Sequence, residues 1–296
     1  MDQIDLQTHS TASDGTFSPT ELLAEAKRVN LTTLAITDHD SVAGLAEGQR
    51  AALIYGVEFV PGVEITSRFE NKRIEILGYY IDPQDEQLQH LLATMAKSRA
   101  DRTPQILKRL AELGMPIAEN DLHLKPQETL SAVGRPRIAR AMVEKGYVET
   151  LQQAFDAYIG EGKPANVSMY LPAVKETIET IHRAGGIAVV PHPMGFWNSD
   201  LETLAEAIKR LKNSGLNGIE VYYAYEIRYQ GTRAISPSFI ETGVTFLEEL
   251  AKTEELTITG GTDFHGDIGE LGAIEIPDGT MERFRSYAEA ILGRKP

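Results

Sequence analysis

Four histidines in this chain each stand at the end of an apolar stretch: His9 after Ile4-Asp5-Leu6, His39 after Leu34-Ala35-Ile36, His192 after Ala188-Val189-Val190, and His265 after Ile258-Thr259-Gly260-Gly261. Carboxylates keep them company at Asp14, Asp38, Glu64, Glu75 and Asp263. Imidazole nitrogen and carboxylate oxygen are the ligand set that zinc and manganese take. In a strand, residues i and i+2 face the same side, so Gln7 and His9 project together, with Asp14 a short loop away. One histidine at a strand end is most often structural, but four of them with five acids point to a shared metal centre. The remaining histidines read differently. His182 lies near the C-terminal end of an amphipathic helix, where positive charge suits the helix dipole. His90 and His123 read as surface residues.

Such a centre requires strands whose ends meet. Residues 4–7, 31–37, 57–66, 73–81, 186–190, 218–223 and 256–261 read as about seven short buried strands. Helices are predicted between them, over 19–29, 41–55, 172–184, 201–211, 236–252 and 280–292. Ser18-Pro19-Thr20-Glu21 is a capping box with proline at N1, and Gly56 stops the second helix. This alternation predicts an α/β fold with a mostly parallel sheet. Ligands contributed by nearly every strand favour a barrel, which brings all C-terminal strand ends to one mouth, over an open sheet with one crevice. From about Asp85 to Gly160 the pattern is helical throughout, with a break or kink predicted at Pro104. The expected domains are therefore 1–84 and 165–296 for the barrel and 85–164 for a small helical insertion.

Composition narrows the function. The 296 residues are 42% apolar and 24% charged, as in an ordinary soluble globular protein. With no cysteine, disulfides, thiolate metal sites and a cysteine nucleophile are excluded. No basic region followed by an apolar run opens the chain and no stretch approaches membrane-spanning length, so a cytoplasmic protein is expected. A formal charge of −14 argues against long nucleic acid as a partner. Residues 97–145 nevertheless carry ten Lys or Arg against six Asp or Glu, which suggests a local site for an anion.

The runs Asp5-Leu6-Gln7-Thr8-His9-Ser10-Thr11-Ala12-Ser13-Asp14-Gly15, Ile36-Thr37-Asp38-His39-Asp40, Pro61-Gly62-Val63-Glu64-Ile65, Pro191-His192-Pro193 and Thr262-Asp263-Phe264-His265 resemble the PHP (polymerase and histidinol phosphatase) superfamily. They are most similar to its branch of small metal-dependent phosphoesterases related to ribonuclease AM and nucleoside 3′,5′-bisphosphate phosphatases. The resemblance covers essentially the whole chain. It implies a distorted (β/α)7 TIM-like barrel with a helical insertion, and two or three divalent ions (Mn2+, Zn2+ or Fe2+). It assigns one ion to Gln7, His9, Glu64 and Asp263. A second falls to Glu64, Glu75 and His192, and a third to Asp14, His39 and His265. Gln7 and Glu75 stand where relatives carry histidine; an amide oxygen is the weaker ligand, and a second carboxylate shifts preference toward harder ions.

The same resemblance gives Arg135, Arg137 and Lys163 to substrate phosphate, and catalytic support to Asp38, His39, Asp263 and His265. Phe196 and Trp197 follow His192-Pro193 where relatives often have arginine, and read as loop anchors or as a platform for a base. The implied activity is hydrolysis of phosphate esters of nucleotides of the 3′,5′-bisphosphate type, or of short oligoribonucleotides from the 5′ end. The alternatives are a histidinol-phosphate phosphatase and a metal-poor PHP module that binds a ligand without turnover.

Overall fold

The computed structural model describes residues 2–124, 130, 133–197, 200–229, 235–266 and 268–295. Its strands are β1 (Ile4–Asp5), β2 (Thr33–Ile36), β3 (Glu58–Phe69), β4 (Lys72–Tyr79), β5 (Ile187–Val190), β6 (Gly218–Tyr223) and β7 (Thr257–Gly261), hydrogen-bonded in chain order. Beyond β1 the chain closes on β7. Leu6 N–H donates to the Gly260 carbonyl at 3.1 Å, His9 N–H donates to that of Phe264 at 2.9 Å, and Thr8 bridges Phe264 in parallel. The sheet is a nearly closed seven-stranded barrel, so the barrel expectation holds.

The sheet is mostly parallel, as expected, and a single strand, β4, runs against the others. Only Glu70 and Asn71 separate β3 from β4, which run antiparallel, and β4 meets β5 antiparallel too. Two residues suffice for a hairpin, whereas a parallel return needs a crossover of roughly a dozen residues or more. The reversal matters for the site. Val60, Gly62 and Glu64 share one face of β3, and Tyr79, Leu77 and Glu75 share one face of β4. Val60, Leu77 and Tyr79 belong to the buried barrel core, with Leu6, Val189 and, from the last helix, Met281 and Phe284. Because Glu64 pairs with Leu77 and Thr66 with Glu75, both acids emerge on the same side of that apolar layer.

Helix α1 (Pro19–Arg28) starts at the predicted capping box: Ser18 and Glu21 satisfy each other's backbone N–H. Ser18→Ala is expected to cost about 1 kcal/mol of unfolding free energy, readable as a lower urea midpoint; an unchanged midpoint would show the cap to be dispensable. Helix α2 (Leu45–Tyr55) ends at Gly56 with φ 66°. Of the break or kink expected at Pro104, the break does not occur, because helix α3 (Glu86–Glu112) continues through it. The one backbone bond that proline removes is offset by its neighbours. Ile106 and Leu110 are fully buried, and Thr103 donates its hydroxyl to the Val133 carbonyl at 2.6 Å.

Two compact units result, residues 1–89 with 172–296, and residues 90–171. The second holds most of α3 with α4 (Arg135–Glu144) and α5 (Leu151–Ala154), packed through Ile106, Leu110, Leu122, Ile138, Met142 and Ile159. Residues 125–129 and 131–132, read from sequence as part of a helical block, lie outside the described residues. The first unit adds α6 (Val174–Arg183), α7 (Pro193–Phe196), α8 (Leu201–Asn213), α9 (Tyr225–Arg228), α10 (Pro237–Thr253) and α11 (Thr280–Leu292). No helix among the described residues is long and apolar enough to cross a membrane.

Candidate metal centre

Each strand end delivers its side chains by a local device. After β1 the chain doubles back so tightly that a Cβ on Gly15 would lie 2.1 Å from the His9 carbonyl oxygen; glycine is required there. The loop that carries Asp14 is pinned by Asp38, whose carboxylate accepts from Ser10 N–H at 2.7 Å, the Ser10 hydroxyl at 2.7 Å and the Ser13 hydroxyl at 2.6 Å. His39, after β2, forms a parallel bridge with Glu64 of β3. His192 follows β5 at φ 30° and Asp263 follows β7 at φ 55°. Left-handed backbone at a non-glycine residue costs about 1–3 kcal/mol and persists where its surroundings over-determine it. Here the His192 N–H donates to Glu220 at 2.8 Å, and Asp263 Oδ2 accepts from the Tyr223 hydroxyl at 2.8 Å and Arg228 Nε at 3.1 Å.

The side chains converge around Glu64. Its Oε2 lies 3.2 Å from His9 Nε2 and 3.3 Å from His39 Nδ1, and its Oε1 lies 3.4 Å from His192 Nε2. Gln7 donates its amide to the same Oε1 at 3.2 Å, leaving Gln7 Oε1 as the atom offered to an ion. His192 Nε2 is 3.6 Å from Glu75, and His9 Nε2 is 3.0 Å from Asp263 Oδ1. Asp14 stands 3.3 Å from His265 Nε2, 3.9 Å from His39 Nε2 and 4.0 Å from His9 Nδ1. Three overlapping groups have ligand atoms close enough to share an ion: His9, Asp14, His39 and His265; His9, Glu64 and Asp263; and His39, Glu64 and Glu75.

Electrostatics and satisfaction agree with that use. Burial opposes charge on His9, yet the Asp263 and Glu64 carboxylates outweigh it and lift the imidazole to about 10. His192, buried against Glu64 and Glu75, is lifted to about 9. Burial would raise Glu64, but His39, His192 and His9 hold it well below the usual carboxylate range. Burial and the nearby Glu64 raise Glu75. The centre calls for positive charge. Gln7 Oε1, both His9 nitrogens, His39 Nδ1, Glu64 Oε2 and His192 Nδ1 are buried without a hydrogen-bond partner. Buried polar atoms are ordinarily bonded, so lone pairs gathered a little over 3 Å apart without hydrogen-bond alignment fit divalent cations.

Gln7, His9, Asp14, His39, Glu64, Glu75, His192, Asp263 and His265 thus lie together. Asp38 does not join their oxygen and nitrogen cluster, being occupied by Ser10 and Ser13. Arg135 lies in the helical unit, with its guanidinium 3.4 Å from the Ile159 carbonyl and over the Phe155 ring. Arg137 is half-buried and Lys163 exposed in the same unit. Trp197 is buried edge-on against Phe69, as a loop anchor would be. His182 is bonded to Asn217, and the exposed His123 pairs with Glu144.

Sequence reading missed Glu220, Tyr223 and Arg228. An acid within the apolar run of β6 was the signal for Glu220, which is fully buried and pushed by that burial well above the usual carboxylate range. Glu220→Gln keeps an acceptor for the His192 N–H and is expected to leave turnover nearly unchanged. Glu220→Leu removes it and is expected to lower kcat by about 10–100-fold, the range for partners that orient metal ligands. Equal kcat for the two variants would refute that role.

Residues 5–183 match the sequence profile of the PHP domain family. The chain is 34% identical over 270 residues to a 5′-3′ exoribonuclease of Haemophilus influenzae, covering 90% of this chain and 92% of that one. It is 32% identical over 221 residues to a 3′,5′-nucleoside bisphosphate phosphatase of Chromobacterium violaceum, covering 75% and 77%. In structure it is similar to a protein of Bifidobacterium adolescentis described as a metal-dependent phosphoesterase, with TM-score 0.67, 28% identity and 98% of each chain covered.

Proposed function

Since the chain belongs to the PHP family, we propose that it is a metal-dependent phosphoesterase acting on nucleotides of the 3′,5′-bisphosphate type or on short oligoribonucleotides from the 5′ end. The observation that carries this reading is the convergence of Glu64 with His9, His39 and His192 at 3.2–3.4 Å, in a place where their buried atoms lack hydrogen bonds. When bound, divalent ions supply Lewis acidity to phosphoryl oxygens and lower the pKa of the attacking water.

The protein's own groups do the rest. Gln7, His9, Glu64 and Asp263 would hold one ion, Glu64, Glu75 and His192 a second, and Asp14, His39 and His265 a third. An all-oxygen and nitrogen set suits Mn2+, Zn2+ or Fe2+. Asp38 supports catalysis by fixing the Asp14 loop, and His39, Asp263 and His265 border the reacting phosphate. Arg135, Arg137 and Lys163 are proposed contacts for further phosphates, on the support of their charge. A small substrate suits a chain of net charge −14.

The test is phosphate release after chelation and reconstitution with Mn2+, Zn2+ or Fe2+. Substrates are adenosine 3′,5′-bisphosphate, a short 5′-phosphorylated RNA and histidinol phosphate. Metal-dependent turnover of a nucleotide substrate is expected. Preference for histidinol phosphate, or no turnover with any ion, would overturn the assignment.

A further inference from the structure

Two aromatic residues follow His192-Pro193, and the fold gives them different surroundings. Helix α7 is a single turn, so Phe196, four residues on from His192, comes back to the same side of the chain. The two ring centroids are 5.0 Å apart, with the planes inclined at 48°. Trp197 is turned inward instead, edge-on to Phe69 at 6.2 Å. From Pro191 to Trp197, Phe196 alone is not buried.

The turn is anchored without the Phe196 ring. Met194 N–H donates to the Tyr225 hydroxyl at 3.2 Å, and its fully buried side chain fills the space that a Cβ on Gly243 would need. A Cβ on Gly195 would lie 1.8 Å from the Tyr229 hydroxyl oxygen. Lys72 of β4 donates to the Phe196 carbonyl at 3.1 Å. Trp197 meets the Phe196 ring near-perpendicularly, at 5.8 Å and 75°, and so fixes its orientation from within. Neither neighbour stacks on the phenyl ring, because the imidazole is tilted and the indole stands edge-on. A rigidly held, part-exposed aromatic ring thus stands beside a candidate metal ligand. His192 lies with Glu64 and Glu75 at one ion position, 3.4 Å and 3.6 Å from their carboxylates. A phosphate ester drawn to that position brings its nucleoside alongside the ring, and every base offers a π-face to an aromatic side chain.

We propose that Phe196 is the platform on which the substrate's nucleobase stacks, at the His192 edge of the metal centre. This rests on the phosphoesterase reading and adds the group that recognises the nucleoside half of the substrate. Stacking reads a π-face and no hydrogen-bonding edge, so the site accepts more than one base.

The test compares Mn2+-reconstituted wild type, Phe196→Leu and Phe196→Tyr, with adenosine 5′-monophosphate and ribose 5-phosphate as probes with and without a base. Three quantities are read: inhibition of adenosine 3′,5′-bisphosphate turnover by each probe, emission of Trp197, the chain's single tryptophan, and metal bound per chain. In wild type the adenosine probe is expected to bind more tightly than the ribose probe and to change the Trp197 emission. Phe196→Leu keeps the apolar contact with His192 and removes the π-face. It is expected to weaken the adenosine probe about tenfold or more, leaving the ribose probe and metal content unmoved. Phe196→Tyr is expected to restore adenosine binding. Unchanged adenosine affinity in Phe196→Leu, or a wild type that binds both probes equally, overturns the proposal and leaves the hydrolase reading intact. So does an equal loss for both probes or a fall in metal content, since Phe196 would then merely pack on His192. A wild type that neither turns over the bisphosphate nor binds either probe overturns both readings together.

Discussion

Glu64→Gln is expected to lower phosphate release by about a thousandfold or more, equivalent to ~4 kcal/mol of barrier. Among the described residues no other carboxylate of the centre stands within 3.4 Å of three imidazoles: His9, His39 and His192 lie 3.2–3.4 Å from Glu64, and the Gln7 amide donates to it at 3.2 Å. Glutamine keeps the shape but removes the charge that lifts His9 and His192. It also puts an N–H2 group where either an imidazole lone pair or the Gln7 amide already points. Metal bound per chain is expected to fall with activity, because two of the three candidate ligand groups contain Glu64. The fold should survive, since the apolar layer of Val60, Leu77 and Tyr79 lies beyond the substitution. Turnover within tenfold of wild type, with metal content unchanged, would show that the centre is organised around some other group.

How much of this was legible beforehand depended on strand direction. His9, His39, His192, Asp263 and His265 could be read because parallel strands place their chemistry just past the apolar run, where a barrel opens. Glu75 breaks that rule. It precedes the apolar half of β4, and it reaches the same mouth because the Glu70-Asn71 hairpin reverses the strand. Family resemblance supplied Glu75; periodicity alone gave only its face. Arg228 left no trace at all, since a four-residue helix after β6 has no period long enough to place its last side chain. Pro104 taught the opposite lesson about local rules. The break it predicts costs one backbone bond, and buried Thr103, Ile106 and Leu110 outweigh it.

The seam of the barrel carries the second large effect. Strand β1 is only two residues long, yet Gln7, His9 and Asp263 all hang from where it meets β7. What closes that seam is Asp5, fully buried, whose Oδ1 accepts from Thr262 N–H at 2.9 Å and Gln7 N–H at 3.4 Å. Its Oδ2 accepts from the Thr262 hydroxyl at 2.5 Å and Gly272 N–H at 3.0 Å. Burial pushes the Asp5 carboxyl up to about 6 in spite of these donors, so it is kept for what it holds together and not as a favourable charge. Asp5→Ala leaves those donors without an acceptor and is expected to lower unfolding free energy by about 3 kcal/mol or more, at roughly 1–3 kcal/mol for each buried group left unmade. Asp5→Asn keeps one acceptor and should fall between alanine and wild type. Amide exchange at Leu6 and Thr262 should quicken in both variants, because local opening of the seam becomes easier before the barrel as a whole unfolds. Were the alanine variant to unfold at the wild-type urea midpoint with both amides still protected, the closure would have to come from the backbone bonds at Leu6 and His9 alone, and the ligands at the end of β1 would owe their placement to those two bonds.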